Sequence, residues 1–116
     1  MRTSTRQTTE MERCAHVCHE CQDECLRLIP HCLELGGEHA SVEHIGMLTD
    51  CVVICGTSHN FLHRGSPLHR ETCRACAAVC EACAEDCERI AHGDRQMEEC
   101  ARACWRCADS CREMAA

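Results

Sequence analysis

Residues 73–87 have the sequence CRACAAVCEACAEDC, in which the five cysteines are separated by alternating steps of three and four residues. Residues with this spacing lie on one face of an α-helix, at the positions that face the core of a helical bundle. Those positions are usually filled by Leu or Ile. The stretch therefore predicts a helix that turns a stripe of thiols towards a protein interior.

The same spacing recurs elsewhere in the chain. A second helical stripe precedes this stretch and a third follows it, and their members are Cys14, Cys18, Cys21, Cys25 and Cys32, and Cys100, Cys104, Cys107 and Cys111. The stripe of residues 73–87 consists of Cys73, Cys76, Cys80, Cys83 and Cys87. The remaining segment has only Cys51 and Cys55, continued by His44, Met47 or Leu48, Ser58 and Leu62. Three of four predicted helices thus present thiols to the core.

Helix start and stop signals divide the chain into four segments. We expect helices from Thr9, where residues 9–12 form a capping box, to Leu35; from Ser41 to about His63; from Ser66-Pro67 to His92; and from Asp94 to the C-terminus. Short connections between helices of similar length favour an up-down-up-down arrangement. The predicted fold is all-α, an antiparallel four-helix bundle with a Cys-lined core, in one domain over residues 1–116. About residues 1–8 are expected to be flexible, and Pro30 is expected to kink the first helix.

Composition excludes several classes of protein. The formal charge is −7, and all 12 basic residues are Arg interleaved with Asp and Glu, so we expect no nucleic-acid partner. The start of the chain lacks the apolar stretch of a secretory signal, and no segment is long and apolar enough to span a membrane. We therefore expect a cytoplasmic protein with no membrane association. In a reducing compartment, 16 cysteines indicate metal or redox chemistry.

The thiol stripes suit a soft metal ion. Thiolates select Cu(I), Zn(II) or iron–sulfur clusters. If each thiolate bridges two ions and each ion takes two thiolates, the core would hold on the order of 16 Cu(I) and stay near neutral. A Cys₄ zinc site would carry two net negative charges, which are costly to bury without a cation. Charge therefore favours multiple Cu(I) ions per chain.

The cysteines also fit several roles besides copper binding. Buried thiols can act as small hydrophobic residues, and disulfides can join neighbouring helices. A Zn(II) or Cd(II) thiolate buffer and a thiol redox or disulfide-carrying protein also fit the composition. Iron–sulfur ligands lie on loops that wrap a cluster, and a thioredoxin-like motif needs a βαβ unit, so both fit a helical stripe poorly.

One end of the bundle is predicted to gather neutral soft ligands. It brings together the end of the first helix, the start of the second, the end of the third and the start of the fourth, with Cys32, His44, Met47, Cys87, His92 and Met97. Thioether and imidazole bind Cu(I) without adding charge, so this end is the predicted copper entrance. The opposite end carries His59, His63, His69, Met11 and Met114, which we expect to be surface residues or to plug the core.

With these stripes in place, the chain resembles the cytosolic copper storage proteins, a bacterial family of cysteine-rich four-helix bundles. The resemblance spans nearly the whole chain and rests on the cysteine spacings of the four segments and on the tail Cys111-Arg-Glu-Met-Ala-Ala116. It implies storage of Cu(I) by cysteine pairs inside the bundle, assembly as a homotetramer, release to cytosolic copper acceptors, and no catalysis. Family members often have further cysteines near the start of the second helix, where this chain has His44, Met47 and Leu48.

The predicted second helix carries more apolar residues than its core stripe needs. They are Ile45, Val52, Val53 and Ile54. An apolar surface of this kind is typical of a subunit contact. It agrees with the homotetramer that the resemblance implies.

Overall fold

The computed structural model describes residues 5–116, with side chains from Thr8 onwards. It contains four helices, α1 (Thr5–Leu35), α2 (Val42–His63), α3 (His69–Ile90) and α4 (Arg95–Ala115), with a short 3₁₀ turn (Gly37–Ala40) between α1 and α2. The molecule measures 52 × 21 × 20 Å. No helix within residues 5–116 is long and apolar enough to cross a bilayer.

The four helices form the predicted bundle. α1 packs against α2 and α4, and α3 packs against the same two helices from the opposite corner. Two thiol contacts show that α1 and α4 run antiparallel. Cys18 contacts Cys111 and Cys25 contacts Cys100, so later residues of α1 lie against earlier residues of α4. The all-α, antiparallel four-helix bundle with a Cys-lined core is confirmed.

Two of the predicted helix starts are confirmed in detail. The Ser41 hydroxyl accepts a hydrogen bond from the backbone N–H of His44 at 3.1 Å. An Asp94 carboxylate oxygen accepts one from the N–H of Met97 at 2.9 Å. Each bond satisfies one of the free N–H groups of a first helical turn.

Two other predicted starts are wrong. α1 begins at Thr5, so Thr9 lies inside the helix and does not start it; nothing between residues 5 and 9 breaks a helix. Of the predicted flexible residues 1–8, the last four belong to α1 and residues 1–4 lie outside the described part. α3 begins at His69, because the Ser66 hydroxyl accepts from the N–H of Leu68 and closes a separate turn around Pro67.

The interior is made of thiols. All 16 cysteines are buried, together with Leu28, Leu48, Leu62, Ile90, Met11, Met97 and several alanines. Among residues 8–116 the only buried polar side chains are His44, Ser58 and His69. The part of the core that the structure describes therefore contains no Arg, Asp or Glu. Trp105 is half-exposed and donates its indole N–H to Glu88 at 2.9 Å.

The cap at Asp94 supplies a test of this bundle. Asp94→Ala removes the bond to Met97 and also the contact with His31, at 2.9 Å, which ties α1 to the start of α4. We expect the free energy of unfolding of the reduced apo protein to fall by about 1–2 kcal/mol in urea titrations followed by circular dichroism. The control is Asp109→Ala, which removes an exposed ion pair with Arg112 and should cost no more than about 0.5 kcal/mol. Equal losses in both variants would contradict the capping role.

A candidate metal-binding core

The core thiols form a continuous network. Neighbouring sulfur atoms lie 3.5–4.0 Å apart, from 3.5 Å between Cys18 and Cys111 to 4.0 Å between Cys51 and Cys104. A disulfide would need about 2.05 Å, and all 16 cysteines are free. The bundle thus places the thiols side by side without joining them.

Groups of three or four thiols converge within this network. In each group all sulfur atoms lie within 4.8 Å of one another, and the groups are Cys14/Cys73/Cys111, Cys18/Cys76/Cys107/Cys111, Cys55/Cys76/Cys80/Cys107, Cys21/Cys51/Cys55/Cys80 and Cys21/Cys25/Cys51/Cys104. Each group shares at least one cysteine with the next. A shared thiolate can bridge two ions, so the groups form one column rather than five separate sites.

The column continues towards the predicted entrance. Cys25 lies 3.7 Å from Cys100. Hydrogen bonding with Cys100 and Cys83 raises the pKa of Cys87, which is fully buried one turn of α3 beyond Cys83. Cys32, near the end of α1, is the last thiol of the column.

The spacing of the sulfur atoms suits metal binding with little movement. Two metal–sulfur bonds of about 2.3 Å that meet at about 110–120° place their sulfur atoms roughly 3.8–4.0 Å apart. A linear S–metal–S unit needs about 4.6 Å between its sulfur atoms, so two sulfur atoms that bind an ion in this way must move slightly apart. The distances between the sulfur atoms are therefore compatible with both copper and zinc. The absence of cations from the described core favours an ion that leaves the column neutral, which is Cu(I).

Two thiols towards opposite ends of the core, Cys32 and Cys73, hold their protons more tightly than a free cysteine does. Burial, and then the charge of Asp94, raise the pKa of Cys32 to about 11. For Cys73, a hydrogen bond with Cys111 opposes the shift, but contact with Cys14 and burial raise its pKa to about 11 as well. A metal ion that binds these thiols must displace their protons.

His44 is the one histidine that reaches the column at the predicted entrance. Its Nε2 lies 3.4 Å from the Cys32 sulfur, and its Nδ1 lies 2.7 Å from a carboxylate oxygen of Asp86. Because a carboxylate can only accept, Nδ1 carries the proton and the Nε2 lone pair faces Cys32. Burial opposes ionisation of Asp86, but hydrogen bonds from His44 and Arg89 hold its pKa below the ordinary value.

The other predicted entrance residues are distributed unevenly. Cys87 and Met97 are fully buried, whereas Met47 is partly buried and Leu48 takes the core position of that turn. His92 lies outside the core: its side chain is 67% exposed and contacts Glu38 at 3.4 Å. The structure therefore brings together Cys32 and His44 but turns His92 towards solvent.

Asp86 was not predicted from the sequence. It lies beside Cys87 in an acidic pair with Glu85, which looks like any solvated helix face. Only the packing of α2 against α3 places its carboxylate at His44, so no local pattern could have identified it.

The opposite end also contains buried side chains. Met11 and His69 are buried, and His69 Nδ1 lies 2.9 Å from the Ser66 carbonyl. Met114 is half-buried against the core. The predicted role of these three residues in plugging the core fits these positions.

The comparisons with known proteins agree with this geometry. Residues 6–116 match the family model described as copper storage protein. The chain belongs to the copper storage protein family. None of the curated proteins matches it.

Solved structures of similar proteins include copper-loaded forms. The Cu(I)-bound copper storage protein 3 of Bacillus subtilis is 34% identical, with a TM-score of 0.84, over 92% of this chain and 99% of that one. A protein from Nitrosospira multiformis is 41% identical, with a TM-score of 0.86, over 92% of this chain and 95% of that one. The cytosolic copper storage protein of Streptomyces lividans, in a structure described as having five coppers, is 27% identical with a TM-score of 0.86, over 97% of each chain.

The raised pKa values predict how stability depends on pH. An unfolded cysteine releases its proton near 9.0, whereas Cys32 and Cys73 in the folded protein hold theirs to about 11. The stability that they contribute is therefore complete below pH 9 and is lost as the pH rises towards 11. Because the chain has no Lys and no Tyr, cysteines are its only side chains expected to titrate in this window.

We expect the urea midpoint of the reduced apo protein to fall between pH 9 and pH 10.5. The copper-loaded protein should stay constant over the same range, because its sulfurs hold copper instead of protons. A flat profile for the apo protein, or an equal fall for the loaded one, would contradict protonated core thiols.

Proposed function

We propose that this protein stores and buffers Cu(I) in the cytoplasm, holding many ions per chain on its core thiolates and catalysing no reaction. The observation that carries the proposal is the column of buried thiols at 3.5–4.0 Å, in a described core without a cation. Membership of the copper storage family and the Cu(I)-bound state of a relative support the choice of metal.

Storage in this core is an exchange of protons for copper. Each Cu(I) that enters replaces about one thiol proton, so the interior stays near neutral however many ions it holds. Zinc would add net negative charge with every tetrathiolate site. A column without cations is therefore suited to filling by monovalent ions.

We propose the end near Cys32 as the entrance. The Nε2 lone pair of His44 faces the Cys32 sulfur, and Asp86 fixes the ring in that orientation. Met97, buried beside the column, supplies a neutral thioether. Copper that reaches this end meets neutral soft ligands first and can then pass to Cys87 and the rest of the column.

We also propose assembly as a homotetramer and release of copper to cytosolic acceptors. The exposed apolar residues support a subunit contact: Val42 is 85% and Val53 61% exposed on α2, and Leu33 is 54% exposed on α1. The other three predicted contact residues of α2 (Ile45, Val52 and Ile54) are half-buried within the chain itself.

Removal of central thiols tests storage. Replacing Cys18, Cys76 and Cys107 by Ser removes three members of one converging group. We expect about three fewer Cu(I) per chain, measured by competition with a Cu(I)-specific chelator, because each lost thiolate leaves bridged ions under-coordinated. The control, Ala77→Ser with Ala108→Ser, adds hydroxyls to buried positions but removes no thiol. Full capacity in the cysteine variant, or wild-type protein with inert disulfides, would reject storage.

Changing the entrance should alter rate rather than capacity. We expect His44→Leu combined with Met97→Leu to slow copper loading and chelator-driven removal in stopped-flow measurements, while total bound copper falls little. The control, Met11→Leu with Met114→Leu, alters two thioethers at the opposite end and should leave both rates unchanged. Unchanged rates in the variant with His44→Leu and Met97→Leu would indicate that copper enters at the other end, near His59, His63 and His69.

A further inference from the structure

Three histidines lie together on the outer surface where α1 packs against α2, at the end of the bundle away from Cys32. The ring centre of His59 is 5.3 Å from that of His19 and 5.5 Å from that of His63. His59 and His63 are one helical turn apart on α2, and His19 is on α1. None of the three belongs to the thiol column.

The central histidine is held in one orientation. His59 Nδ1 lies 2.9 Å from the carbonyl oxygen of Ala15. A carbonyl can only accept, so Nδ1 carries the proton and Nε2 keeps a free lone pair. A backbone carbonyl that fixes the ring and leaves the other nitrogen free is a common support for a metal-binding histidine.

The spacing of the rings suits a shared ion. Two imidazoles that bind one ion at 2.0–2.1 Å in a tetrahedral arrangement have ring centres roughly 5 Å apart. A pair of histidines four residues apart on a helix is a known metal-binding arrangement. The rings of His59 and His63 are now nearly parallel, with 10° between their planes, so His63 must turn to share an ion with His59. His63 and His19 are exposed, so both rings can turn freely.

We propose that His19, His59 and His63 form a surface site for a divalent transition-metal ion of the Zn(II) type, distinct from the Cu(I) store. Three neutral imidazoles, borderline in softness and open to water, suit Zn(II), Ni(II) or Cu(II). The thiol column selects a monovalent ion by charge, whereas this solvated site has no such restriction. The negative charge of the chain, −7, adds a general attraction for cations.

Zinc binding to full-length protein tests the site. The thiols are first filled with Cu(I) under anaerobic conditions, so that added Zn(II) meets no free thiol. We expect calorimetry to show one further Zn(II) per chain. His63→Ala and His19→Ala should each weaken binding by at least about tenfold. Both replaced side chains are exposed, so the variants should fold as the wild type does.

The matched control is His39→Ala, which removes a half-buried imidazole at the other end of the bundle and should leave zinc affinity unchanged. Ring nitrogen signals in nuclear magnetic resonance identify the ligands directly: His59 Nε2 should shift while its Nδ1 stays protonated. If Cu(I) does not fill the core, zinc is added until the thiols are saturated and then in excess. The same ring nitrogen signals then show whether the three histidines bind it. Equal zinc affinity in wild type, His63→Ala and His19→Ala, or ring signals that do not move, would overturn the proposal.

Discussion

Side-by-side packing of protonated thiols in an interior without cations is the constraint on which the rest of this molecule depends. A buried thiol is a small, weakly polar group, so sixteen of them can fill a bundle core much as short apolar side chains do. As thiolates without a counterion they would be very costly to bury. The same atoms thus form a stable apo core and a set of ligands, provided that each proton leaves only when a monovalent metal ion replaces it.

This constraint explains which residue types lie in the middle of the bundle and which lie at its ends. The middle layers contain almost nothing but cysteine and alanine, which leaves the sulfur atoms free to approach within 3.5–4.0 Å of one another. Larger side chains close the two ends, with Leu28, Ile90 and Met97 near one and Met11 and Leu62 near the other. Within residues 8–116, the one buried histidine in contact with a core thiol, His44, donates its Nδ1–H to Asp86 at the margin of the core. Charged groups in the described part of the chain are thereby confined to the surface and its margins.

Much of the fold and of the site could be predicted from the sequence, because the spacing of the cysteines by three and four residues indicates which face of each helix is buried. What could not be predicted depends on contacts between helices. His92 was predicted at the entrance as the end of the third helix, but α3 ends at Ile90 and the left-handed backbone of His92, φ 47°, turns its side chain out to Glu38. The pairing of Asp86 with His44 and the approach of His19 to His59 each join different helices. The close contact of α1 with α2 at Gly56, where the Gln22 amide bonds to the Val52 carbonyl at 3.1 Å, leaves no periodic signal either.

Proton release during copper titration measures directly the exchange of about one proton for each Cu(I), on which storage in a neutral core depends. If Cu(I) is added anaerobically as its acetonitrile complex to reduced apo protein in weakly buffered solution near pH 7, a pH indicator should record about one proton released per ion through many additions. The ratio should stay constant, because each ion replaces the proton of a neutral thiol. Copper binding without proton release would contradict this exchange. So would loading that stops after a few ions.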